Sequence, residues 1–86
     1  MAEYFRSHGM VIHFYFFDTQ KHQKPHFHLY AGGNEASISL DGELLAGRIT
    51  KAHYKLIREL LSNYHAEFYE AWENAKIGKS FEKLTF

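Results

Sequence analysis

Two histidines one residue apart, His26 and His28, follow the only proline of the chain in the segment KPHFHLYAGG, Lys24 to Gly33. Residues i and i+2 of a strand project to the same side, so two imidazoles at this spacing can converge on one metal ion. His22 in the preceding loop is a third candidate ligand, as is His13 across a sheet, with Glu35 or Asp18 as a fourth. Such nitrogen and oxygen donors suit a divalent transition metal: zinc, nickel, iron or manganese. The same pair suits acid–base chemistry. Cleaving RNA through its own 2′-hydroxyl needs a base for that proton and an acid for the leaving oxygen, and two imidazoles can supply both. In that scheme His26 and His28 are the catalytic candidates, Tyr15 or Tyr30 orients the phosphate, and Lys24 neutralises its developing charge. The plainer alternative is a pair of surface histidines that hydrogen-bond locally and hold the proline turn.

Two further groups can bind. Tyr15, Phe17, Phe27 and Tyr30 have the composition of a base-stacking platform, and equally of a partner interface. Lys51, Lys55 and Arg58 fall at i, i+4 and i+7, a basic stripe able to meet phosphates. A solvated helix face is the commoner role for such a stripe.

The elements that must position these residues follow from periodicity. Met10, Ile12, Phe14 and Phe16 alternate with Val11, His13, Tyr15 and Phe17, which predicts a first strand. DTQKHQKP, residues 18–25, is a polar loop ended by proline. A second strand over about 26–31 divides Phe27, Leu29 and Ala31 from His26, His28 and Tyr30. After the GGN turn at 32–34, a third strand over about 35–40 divides Ala36, Ile38 and Leu40 from Glu35, Ser37 and Ser39. Asp41-Gly42 signals a hairpin, and ELLAG is a candidate fourth strand.

From Thr50, a candidate N-cap, the period becomes helical: Leu56, Ile57, Leu60, Leu61 and Tyr64 form an apolar stripe. A break near Ser62-Asn63 leads to a second helix that buries Phe68, Trp72 and Ala75, runs to about Ile77 and stops at Gly78. The tail KSFEKLTF is a candidate edge strand. The expected fold is α+β: a three- or four-stranded antiparallel sheet with two C-terminal helices packed on one face. With the helices on the Ile12/Phe14, Phe27/Leu29 and Ile38/Leu40 side, the opposite face is aromatic and rich in histidine.

Composition bounds the function. Eighty-six residues make one domain, residues 1–86, and 17% aromatic content leaves more rings than one small core needs. The chain has no cysteine, which excludes disulfides and thiolate metal sites and makes a reducing interior the default compartment. No run approaches the ~20 apolar residues that cross a membrane, and MVIHFYFF, interrupted by His13, reads as a strand and not a secretory signal. A soluble, cytoplasmic protein without a membrane partner is expected. A formal net charge of zero argues against a general electrostatic grip on nucleic acid, qualified by seven titratable histidines.

The ordered set GMVIHFYFFD, HQKPHFHLYAGG, SLDGELLAG and the helical LIRELLSNYHAEFYEAWENAK resembles a small bacterial family catalogued as domain of unknown function 4160. The likeness spans residues 9–84. His22, Pro25, His26, Phe27, His28 and Tyr30 take the family's H-x-P-P-H-F-H and tyrosine positions, and Trp72 takes its helix tryptophan. Lys24 stands where the family has the first proline of a pair, and Lys21 where it often has aspartate. The resemblance implies a compact α+β domain without an established activity, and a toxin–antitoxin-like association with a small cognate protein from a neighbouring gene. The leading expectation is therefore a small binding module that uses the open His/Tyr face. The alternatives are a histidine-based or metal-assisted ribonuclease, for which RNA is the partner, and a structural homodimer.

Overall fold

The computed structural model describes residues 2–16 and 24–84. Five strands, β1 (Ala2–Ser7), β2 (Met10–Phe14), β3 (His26–Ala31), β4 (Asn34–Ser39) and β5 (Leu44–Gly47), precede α1 (Lys51–Asn63) and α2 (His65–Lys76). The strands pair antiparallel in sequence order, β1-β2-β3-β4-β5, a plain meander. The α+β class and the two C-terminal helices are as expected, and ELLAG does pair as a strand. The sheet has five strands because AEYFRS, at the N-terminus, forms β1.

Alternation hides β1. Its register against β2 shifts between Glu3 and Phe5, so Tyr4 and Phe5 are both buried although they are adjacent. The β1–β2 connection is His8-Gly9, with φ of 53° and 72°, and the β3–β4 connection is Gly32-Gly33, with φ of 56° and 79°. Two successive left-handed residues are what a type I′ hairpin requires, because its twist matches that of the strands it joins. At the other edge of the sheet Gly47, φ 85°, passes so close to β4 that a Cβ there would stand 2.1 Å from the Glu35 carbonyl oxygen.

Met10, Ile12 and Phe14 from β2, Phe27, Leu29 and Ala31 from β3, and Ala36, Ile38 and Leu40 from β4 and its end form the sheet side of the core. Ile57 and Leu61 of α1 and Phe68, Ala71, Trp72 and Ala75 of α2 form the other side. Thr50 caps α1, its hydroxyl accepting from the His53 N–H at 3.2 Å. Tyr64 separates the helices, one residue later than the expected break, and α2 gives way at Ile77 to Gly78 with φ 76°. Phe16, expected on the core face, lies past the end of β2 and is 37% exposed. The tail segment 79–84 forms no strand. It nevertheless follows β1, with the Leu84 N–H donating to the Tyr4 carbonyl at 2.8 Å and the Phe81 ring 5.9 Å from that of Tyr4.

Candidate functional site

The antiparallel register turns the outer face of the sheet into rows. His13 pairs with Glu3 on one side and His28 on the other, and His28 pairs in turn with Ser37, giving the row Glu3, His13, His28, Ser37. The next row is Arg6, Val11, Tyr30, Glu35. Tyr15, just past β2, lies over the first row. Its ring stacks on His28 with centroids 4.0 Å apart and planes 24° from parallel, and its hydroxyl meets that of Tyr30 at 2.9 Å. The Tyr30 ring stands edge-on to His13 at 5.2 Å. Four aromatic side chains from β2, β3 and the end of β2 therefore hold one another half-buried on the side of the sheet opposite the core, over which neither α1 nor α2 packs among the described residues.

Electrostatics reinforces that cluster. The hydrogen bond to Tyr15, aided by loss of water and by nearby Glu35, pushes the Tyr30 phenol well above its usual range, so it stays a neutral donor and acceptor. Burial lowers the His13 imidazole below its ordinary value against the opposing pull of Glu3, and its Nδ1 is buried without a hydrogen-bond partner. The rim is charged in both senses: Arg6 and Glu3 pair at 2.7 Å, and Glu35 is exposed.

His26 departs from expectation. It belongs to the same side of β3 as His28, but it is only 1% exposed. Trp72 of α2 reaches its ring at a centroid distance of 5.1 Å, and His28 stands edge-on at 5.3 Å. The expectation that both histidines aim away from the core is thus corrected for His26: it sits where the helical layer closes over the end of β3. Its Nδ1 is 2.8 Å from the Lys24 carbonyl oxygen. A carbonyl only accepts, so Nδ1 carries a proton and donates it. His28 Nδ1 lies 3.3 Å from the Ser37 hydroxyl.

A polar turn holds the start of β3 in place. The Leu40 N–H donates to the Pro25 carbonyl at 3.0 Å, and buried Ser39, the register partner of His26, accepts from the Glu43 N–H at 2.9 Å while donating to Asp41. Lys24 Nζ pairs with Glu43 at 2.6 Å and Asp41 at 3.7 Å, which raises its own pKa. That charge is engaged locally, by the two carboxylates that steady the turn. The Tyr54 hydroxyl of α1 donates to the Gly42 carbonyl of the same turn.

The structure brings His13, Tyr15, His28 and Tyr30 together and sets His26 and Lys24 at their border. Phe17, Asp18 and His22 lie outside the described residues. Lys51, Lys55 and Arg58 are exposed on α1, in the helical layer, where Arg58 sits 5.8 Å over the Tyr54 ring. They extend no row of the sheet face. Among the described residues no three histidines or carboxylates are grouped so as to hold a metal ion, so a site on His26 and His28 requires a ligand from elsewhere, as the His22 expectation already did. Sequence reasoning missed Glu3 and Arg6 as rim residues, because the bulge conceals the strand that carries them. The HG at 8–9, a two-residue hairpin loop flanked by strand-like runs, was the available signal.

The family model described as Domain of unknown function (DUF4160) matches residues 9–73, from the first hairpin loop to just past Trp72 in α2. That is about three-quarters of the chain, and the chain belongs to this family. No curated protein and no solved structure matches it.

Proposed function

We propose that this member of the DUF4160 family is a small protein-binding module whose recognition surface is the His/Tyr face of the sheet. The observation that carries the reading is the mutually packed Tyr15–His28 and Tyr30–His13 cluster, which neither α1 nor α2 covers among the described residues, rimmed by Glu3, Arg6 and Glu35. An aromatic centre with a polar rim is the make-up of a protein interface. Tyrosines already fixed in place lose little freedom on binding. Nucleic acid fits less well: Arg6 and Lys83 at the rim are both paired with Glu3, Glu35 adds a second carboxylate, and the chain as a whole carries no net positive charge. A toxin–antitoxin-like pair is the form of partnership that the family resemblance suggests. No helix among the described residues is long and apolar enough to cross a membrane, in keeping with a partner met in solution.

Photo-crosslinking from position 35, on the rim beside Tyr30, tests this in native cells, with position 55 on α1 as the control. The reading expects one discrete protein adduct from position 35 and none from position 55. An adduct with twice the mass of the chain identifies the partner as a second copy. Equal, diffuse labelling from both positions contradicts the reading.

The ribonuclease reading draws on one specific feature, the oriented His26 ring 5.3 Å from that of His28. It requires both imidazoles to touch the substrate. The burial of His26 beneath Trp72 opposes that requirement. RNA integrity after induced expression separates the two readings: cleavage that disappears in the His26→Ala/His28→Ala double variant would favour the nuclease.

A further inference from the structure

A cleft of about 550 Å³ opens between α2 and the tail, away from the sheet face, with Tyr4 of β1 at its floor. Glu67 and Glu70 line it from α2, three residues and so about 4.5 Å apart along the helix axis. Glu82 lines it from the tail. These three carboxylates make no ion pair among the described residues. Lys83, the one cation of the lining, is turned to Glu3 at 3.3 Å.

Tyr4 adds a second, independent observation. It is 2% exposed, and its hydroxyl is buried with no hydrogen-bond partner. Buried hydroxyls are rarely left so. The ring is fixed by edge contacts with Phe14 at 5.2 Å and Phe68 at 5.1 Å, and the charges of Glu67 and Glu70 act on its phenol. Burial first, and then those two carboxylates, keep it protonated, so the oxygen retains an unused acceptor on the acidic side of the cleft.

The geometry points to a binding site for a linear aliphatic polyamine, its ammonium groups on Glu67, Glu70 and Glu82 and one N–H reaching the Tyr4 hydroxyl. Glu67 and Glu70 are three residues apart on α2 and Glu82 comes from the tail, and among the described residues no three such groups are placed to hold a metal ion. A chain of charges separated by methylenes matches that spacing. Tyr64 and Phe81 offer ring surface to the methylenes and to the cations. Charge-assisted N–H···carboxylate bonds supply the specificity.

Titration of ¹⁵N-labelled protein with spermidine at constant ionic strength, beside magnesium chloride, tests the assignment. The expected result is saturable shifts confined to residues near 67–71 and 80–84, absent with magnesium. Glu67→Gln/Glu70→Gln should weaken binding at least tenfold and Tyr4→Phe several-fold. Glu73→Gln, whose carboxylate pairs with Lys76, should leave it unchanged. Equal shifts with magnesium, or unchanged affinity in the exposed Glu67→Gln/Glu70→Gln pair, would overturn the site. A lysine-rich peptide that saturates the same resonances more tightly than spermidine would overturn the free polyamine as the occupant.

Discussion

Tyr15 lies face to face with His28, 4.0 Å between ring centroids, although Tyr15 lies beyond the end of its strand and His28 at the middle of the next. Stacking fixes the tyrosine ring, and its hydroxyl then meets Tyr30 at 2.9 Å. The proposed recognition face is therefore pre-shaped by its own side chains. Removing one member should loosen the others.

Tyr30→Phe keeps the ring and deletes one partner of the hydroxyl pair. It should lower stability by about 0.5–1.5 kcal/mol, the net worth of one hydrogen bond. Urea denaturation measures this. A midpoint equal to that of the wild type would mean that the pair is not formed in solution.

Trp72→Ala should cost about 3–5 kcal/mol, as for other large aromatic truncations in a core. Its second effect is the more specific one. With the indole gone from its place 5.1 Å from His26, that imidazole should become accessible to diethyl pyrocarbonate while His28 changes little. Mass spectrometry of the modified histidines provides the readout.

Gly47→Ala should unsettle the β4–β5 edge. The added methyl group would strike the Glu35 carbonyl, and φ of 85° adds left-handed strain of about 1–3 kcal/mol. Faster amide exchange in Leu44–Gly47 than in β2 and β3 is the expected signature, and uniform protection would contradict it.

Much of this arrangement is legible in the sequence. Strict alternation in Met10–Phe14, Phe27–Ala31 and Ala36–Leu40 identifies the core face, and by subtraction the His/Tyr face. The α1 and α2 boundaries are readable from Thr50 and Gly78 because each does local work, one as a hydroxyl cap and the other in the left-handed region. What escapes is non-local. Tyr4 and Phe5 are both buried because a bulge breaks the period of β1. His26 has the parity of an outward residue, and only the distant Trp72 covers it. No spacing within the histidine motif contains that contact.

His13 makes stability depend on pH. Its folded pKa is lowered, chiefly by burial, with Arg6 and His28 lowering it further and Glu3 opposing. The unfolded chain then binds the proton more readily. Its contribution is complete above the unfolded value of ~6.5 and is lost as pH falls through that value towards the folded one. The urea midpoint should drop between pH 7.5 and 5.5, and less so in His13→Gln. An equal drop in both proteins would place the sensitivity in other groups.

The most direct test of the central claim is the affinity of the protein captured at position 35, measured by calorimetry for the wild type, Tyr15→Ala/Tyr30→Ala and His28→Ala. A recognition face built on tyrosines predicts at least ~100-fold weaker binding for the tyrosine pair, as for truncated interface anchors, and a smaller loss for His28→Ala. Wild-type affinity in the tyrosine variant would contradict the account, and so would a loss confined to the histidine.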